Sequence, residues 1–204
     1  MSVKDRWETV LSSAGLHDPG GQIFIELEGL YSEPHRKYHN MKHVTDSLQH
    51  LDANPLPGTN AIALEIAIWF HDAIYTPLRG NNEWASAELA TQRLSELGAD
   101  NRLQQTVHRL IMVTAHTGQP TDLDESLMAD IDLAILGSDR ETFETYEYSI
   151  RREYRLVPGP IYRRKRKAIL QSFLSRSSIY NTSPFIDARE DLARSNLKWA
   201  ISRL

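Results

Sequence analysis

Apolar side chains recur along this chain at intervals of three and four residues, the spacing of one face of an α-helix. Trp7, Val10 and Leu11 form such a face behind Ser2-Val3-Lys4-Asp5, a capping box with Asp in place of Glu. Pro19 opens a second helix carrying Ile23, Phe24, Leu27 and Leu30. Asn40 is a good N-cap for a third, with Val44, Leu48 and Leu51 on one face, and Asn54-Pro55-Leu56-Pro57-Gly58 breaks it. The fourth helix, capped by Thr59 or Asn60, is expected from Ala61 to about Tyr75, where Thr76-Pro77 stops it. It is apolar nearly all round, the pattern of a buried central helix.

Asn81-Asn82-Glu83 starts a fifth helix that ends at Gly98. Further helical patterns cover about Asp100 to Ala115, Asp124 to Leu136, Ser138 to Leu156, Ile161 to Ser175 and Pro184 to Ser202. No stretch alternates cleanly between turn residues, and Asn-Gly and Asp-Gly hairpin signals are absent. The expectation is an all-α fold, a single domain over 1–204 with about ten helices. Its chemistry-bearing core would span about 38–137, with helices of 138–204 packed on it.

Composition narrows the chemistry. With 27 acidic and 23 basic residues, the net charge of −4 argues against a general nucleic-acid binder. Cysteine is absent, which excludes disulfides, zinc–cysteine sites, iron–sulfur clusters and thiol nucleophiles. Any metal must therefore be held by the 8 histidines and by carboxylates. The longest apolar stretch, Ala61–Tyr75, is interrupted by Glu65, His71 and Asp72 and is shorter than the ~20 residues a bilayer span needs. The charged start of the chain lacks a signal-peptide core, so a cytoplasmic protein with no membrane partner is expected.

Three segments carry the candidate chemistry. Tyr38-His39-Asn40-Met41-Lys42-His43 holds two histidines four apart. Phe70-His71-Asp72 puts a carboxylate near the end of the most apolar helix, where burying an unpaired charge costs several kcal/mol or more. An arginine, a helix N-terminus or a metal would compensate it, and the adjacent histidine favours a metal. Asp130-Ile131-Asp132 flanks the apolar stripe of Leu127, Met128, Ile131 and Ile135, and periodicity alone does not say which aspartate points inward. Two histidines and two aspartates suit Mn²⁺, Fe²⁺, Co²⁺, Ni²⁺, Zn²⁺ or Mg²⁺ and leave positions for water and substrate. The plain alternative is ordinary Asp–Arg pairing, with the histidines packed or solvated.

The order His43, then His71-Asp72, then a distant Asp132 resembles the H…HD…D pattern of the HD-domain superfamily of metal-dependent phosphohydrolases. Tyr38–Val44, Phe70–Tyr75, Asn82–Ala87 and Asp130–Gly137 resemble the signatures of a bacterial subgroup of HD-type hydrolases. Arg152-Glu153-Tyr154 and Ala193–Leu197 look like its C-terminal half. The resemblance implies a divalent metal held by His43, His71, Asp72 and Asp132, with Asp132 preferred to Asp130. It also implies hydrolysis of a phosphoester bond in a small phosphorylated molecule, a nucleotide among the candidates. The alternative is a non-catalytic module that uses an HD-type pocket to sense a nucleotide.

Around this set, Asp72 and Glu83 are the candidate catalytic carboxylates, Glu83 as a general base. Arg36, Lys42 and His116 are candidates for holding substrate phosphate. Each has a plain alternative: a first-turn Glu at a helix N-terminus, surface charge, and a His at a helix C-terminus. Arg151–Arg155 and Arg163–Lys167 carry eight bases against one acid, either a phosphate or nucleic-acid patch or a pair of solvated helix faces. A homo-oligomer is left open.

Overall fold

The computed structural model describes residues 2–204 and is helical throughout, with no strand among the described residues. Ten α-helices follow one another: α1 (Val3–Ser13), α2 (Gln22–Tyr31), α3 (Met41–Ala53), α4 (Ala61–Phe70), α5 (Asn82–Glu96), α6 (Asn101–Val113), α7 (Leu123–Asp132), α8 (Arg140–Glu153), α9 (Gly159–Leu174) and α10 (Ser183–Arg203). No helix is long and apolar enough to cross a membrane, among the described residues.

Local chemistry explains most of the boundaries. The Ser2/Asp5 capping box forms as expected, each residue's side chain bonding to the other's backbone N–H. Asn40, Asn60, Asp100, Asp122 and Asp139 cap α3, α4, α6, α7 and α8 through their side chains. Helix α2 starts later than Pro19, after a 3-10 turn at Pro19–Gly21. Its first amides, Ile23 N and Phe24 N, donate to the buried Asp18 carboxylate, which also accepts from Trp7 Nε1. Gly20 and Gly21 have φ of 72° and 68°, values costly for any residue with a Cβ, and this lets the chain turn into the helix.

One hydrophobic cluster runs from Trp7 to Ala200 with α4 at its centre. Ala63, Leu64, Ile66, Ala67, Ile68 and Trp69 of α4 are fully buried. Trp69 packs edge-on against Trp7 at 5.6 Å and Phe24 at 6.2 Å. Truncating a buried leucine here to alanine would cost about 2–5 kcal/mol.

Two helix ends that differ from the sequence expectation shape the site. Helix α4 stops at Phe70, not Tyr75, and carbonyls at its end and in the turn beyond it find other partners. Tyr31 Oη donates to Trp69 O (3.0 Å), and the buried Arg36 guanidinium donates to Asp72 O (2.6 Å) and Ala73 O (2.7 Å). A cation at a helix C-terminus also complements the helix dipole. Helix α7 ends at Asp132 and tightens into a 3-10 turn, Leu133–Gly137. That turn is gripped by the C-terminal segment: Tyr180 Oη donates to Leu133 O (3.0 Å), and Asn196 Nδ2 to Leu136 O (2.8 Å) and Ser138 O (2.9 Å). A Cβ on Gly137 would lie 2.6 Å from Arg189 Cβ and 2.8 Å from Arg189 O, so only glycine permits this approach of α10.

Candidate metal centre

His43 on the first turn of α3, His71 and Asp72 in the turn after α4, and Asp132 at the end of α7 converge on one point. One ligand atom from each lies within 4.8 Å of all the others. His43 Nε2 is 3.0 Å from His71 Nε2, 3.5 Å from Asp72 Oδ2 and 3.3 Å from Asp132 Oδ1. His71 Nε2 is 3.2 Å from Asp72 Oδ2 and 3.6 Å from Asp132 Oδ1. The two imidazoles lie behind the site, 4% and 1% exposed, and the two carboxylates face an open cleft.

The donor set fits a divalent cation. His71 Nδ1 is 2.8 Å from Ile68 O, and a carbonyl only accepts, so Nδ1 carries the hydrogen. In the neutral ring that leaves a lone pair on Nε2, aimed at the Asp72 and Asp132 oxygens and at His43 Nε2. Lone pairs and carboxylates that face each other repel unless a proton or metal ion lies between them. Without an ion, protons fill that role. Burial opposes protonation of His71, but Asp72 and Asp132 outweigh it and hold its pKa well above the usual histidine range. Burial likewise works to raise Asp132, and the imidazoles of His116, His43 and His71 outweigh it, keeping its pKa well below the ordinary value. Asp72 is lowered in the same way, chiefly by His71 and His39 against its own burial. Two nitrogen and two oxygen ligands suit Mn²⁺, Fe²⁺, Co²⁺, Ni²⁺ or Zn²⁺ better than Mg²⁺, which prefers oxygen.

Periodicity left Asp130 and Asp132 equivalent, and the fold separates them. Asp130 is fully buried and turned away from the cluster. It accepts from Asn181 N (2.8 Å), Asn181 Nδ2 (2.8 Å), Thr182 N (2.7 Å) and Thr182 Oγ1 (2.7 Å), just where α10 begins. Neither aspartate is a solvated edge residue.

The other expected residues divide. His116 Nε2 is 2.8 Å from Asp132 Oδ2, so His116 joins the cluster through a ligand. It follows α6, which ends at Val113 rather than Ala115, and its φ of 53° is unusual for a residue with a Cβ. Glu83, on the first turn of α5, lines the same cleft as Asp72. Arg36 does not reach the cleft. Its donors are used on Glu33 and on the carbonyls of His39, Asp72 and Ala73, so it fixes the His71-Asp72 turn instead. Lys42 is exposed, paired with Asp46 at 2.6 Å, and lines a separate depression.

Two residues without an assigned role also belong to the site. Glu153, fully withdrawn from solvent, accepts from the backbone N–H of Lys37, Tyr38 and His39 at 2.7–3.0 Å, and from Tyr75 Oη at 2.8 Å. Its Oε2 is 2.7 Å from His39 Nδ1, and the His39 ring stacks on Tyr75 at 4.2 Å and lines the cleft. Burial raises the Glu153 pKa, but His39 and the amides overcome it and bring it down to about 2. For His39, burial is outweighed by Asp72 and Glu153, so its pKa is raised. Periodicity contained a signal for Glu153: it lies three residues after Ile150 and four before Val157, both buried.

The cleft in front of the carboxylates has a volume of about 400 Å³. Tyr38, Tyr75, Tyr146 and Phe173 contribute to its walls, and Arg79, Arg166 and Arg176 contribute positive charge. Arg166, from the basic run on α9, is turned inward beside Tyr146 Oη (2.9 Å) and paired with Glu147. Arg151 is also turned in, over the Tyr162 ring and onto the Tyr154 and Val157 carbonyls. Arg155, Arg163, Arg164, Lys165 and Lys167 are exposed.

Compared with known proteins, the chain matches no family model, no curated protein and no solved structure.

Proposed function

We propose that this protein is a divalent-metal-dependent phosphohydrolase of the HD type, acting on a small phosphorylated molecule. The observation that carries the reading is the convergence of His43, His71, Asp72 and Asp132 on one point at the edge of the cleft. An ion held there would polarise a phosphoryl oxygen and lower the pKa of a coordinated water.

The chain's own residues supply the rest. His39, bonded to Glu153, faces the cleft and in its protonated form can donate a proton to the leaving oxygen. Glu83, on the same cleft, is the candidate to accept a proton from the attacking water. His116 holds the second oxygen of Asp132, fixing the carboxylate's orientation. A cleft of about 400 Å³ with tyrosine walls favours a substrate of nucleotide size.

The test is metal analysis of the purified protein together with a panel of phosphoesters and nucleotides, assayed with added Mn²⁺, Co²⁺ or Mg²⁺. Retained metal and release of phosphate from some member of the panel is the expected result. A protein that takes up no divalent metal and releases no phosphate overturns the proposal. Tight nucleotide binding with no product transfers the site to the sensing module.

A further inference from the structure

Part of the positive charge in the cleft is already balanced. Arg166 is paired with Glu147, and His39 with Glu153. Arg79 stands at the exposed mouth, and Glu83 is the one carboxylate of the walls outside the metal cluster. Arg176 is different. It lies just beyond α9 and is half-buried in the cleft wall. Its guanidinium covers the Phe173 ring at 4.6 Å, and Nη2 donates to His116 O at 3.0 Å. No carboxylate pairs with it among the described residues.

Comparison with the other arginines sharpens the point. Arg6, Arg93, Arg109 and Arg166 all hold their protons more tightly than usual because carboxylates face them. Arg176 holds its proton less tightly, and burial is the only cause. A guanidinium removed from water without a countercharge is unfavourable, and it becomes favourable when an anion arrives. Its planar fork matches the paired oxygens of a phosphate or carboxylate. Through His116 it stands one residue away from Asp132.

We infer that Arg176 receives a second oxyanion of the substrate, so that the preferred substrates are phosphoesters whose alcohol half itself carries a phosphate or carboxylate. This rests on the proposed metal site for the first anion only, and the test separates the two. Benzylphosphonate, its para-carboxy derivative and its para-phosphonomethyl derivative differ only in the added charge and resist hydrolysis. Their affinities for the Mn²⁺-loaded protein are measured by calorimetry, alongside the affinity for Mn²⁺ itself.

At least one doubly charged ligand is expected to bind about tenfold or more tighter than benzylphosphonate, as a charge-assisted contact allows. The carboxylate and phosphonate arms show which oxyanion the receptor prefers. In Arg176→Gln that preference collapses while Mn²⁺ and benzylphosphonate binding persist, and in Arg176→Lys part of it returns. Equal affinities for all three ligands in the wild type overturn the inference, as does a preference that survives in Arg176→Gln. If Arg176→Gln loses Mn²⁺ as well, Arg176→Lys decides: restored metal without charge preference overturns the inference, and restored preference supports it. Failure of the unaltered protein to bind Mn²⁺ or benzylphosphonate falls on the metal reading, and equal binding of all three with Mn²⁺ intact falls on Arg176.

Discussion

Asp130 and Asp132 sit two residues apart on the same helix, and their surroundings could hardly differ more. Asp130 meets four N–H and O–H donors at the start of α10, enough to satisfy a buried carboxylate without any cation. Asp132 meets three imidazoles, from His43, His71 and His116. Two backbone and two side-chain donors make a joint. Imidazoles can exchange a proton for a metal, so a carboxylate among them can serve as a ligand. Burial alone would have picked the wrong one, since Asp130 is the more deeply buried. The kind of partner separates the two roles.

The contrast can be broken most directly at Asp132. Asp132→Ala should weaken Mn²⁺ retention by more than about 100-fold, beyond the usual effect of outer-shell changes, with helical content intact by circular dichroism. Full metal content in that variant would remove Asp132 from the ligand set. Asp130→Ala should do the opposite: it strands buried donors at Asn181 and Thr182 and costs about 3 kcal/mol in urea unfolding, yet the folded protein still binds Mn²⁺. Gly137→Ala should cost about 2 kcal/mol, because the new Cβ forces α10 off the turn behind Asp132.

A smaller effect lies in the acid limb of the stability profile of the metal-free protein. The folded pKa of Asp132 is below its ordinary 3.8, so its stabilisation is complete above that value and is lost as the pH falls toward the folded one. Asp130 is raised, chiefly by burial, so its contribution is complete below 3.8 and fades as the pH rises through the folded value. Asp132→Asn should therefore flatten the acid limb, whereas Asp130→Asn should leave it as steep or steeper. The smallest change is expected from Lys42→Ala. Its exposed pair with Asp46 is worth about 0.5 kcal/mol or less, and Mn²⁺ binding should not move.

Helical periodicity made the fold class and most helix positions readable, because packing obeys the same three-and-four spacing that the apolar residues follow. Where α4 ends was not readable. Its end is tied to Tyr31, which reaches Trp69 O, and to Arg36, which reaches the carbonyls of the turn just beyond, both from more than thirty residues away. Periodicity alone did not separate Asp130 from Asp132, because what distinguishes them includes Thr182, 52 positions from Asp130. Arg36 was expected to hold phosphate because its charge was visible and its burial was not. Glu153 and Arg166 were hidden in a run of charges that looked like surface. Each nonetheless falls in an apolar frame, Glu153 between Ile150 and Val157 and Arg166 between Tyr162 and Leu170. A charged residue at such a position is a stronger sign of function than the run around it.

The grip of the C-terminal segment on the 3-10 turn also sets an order in time. During synthesis, His43, His71, Asp72 and Asp132 all leave the ribosome well before Tyr180, Asn196 and the rest of α10 are made. Until then the turn behind Asp132 lacks the hydrogen bonds that tie it to the C-terminal segment. A growing chain would therefore present these histidines and carboxylates in a looser arrangement and reach the final geometry of the cluster only when α10 docks.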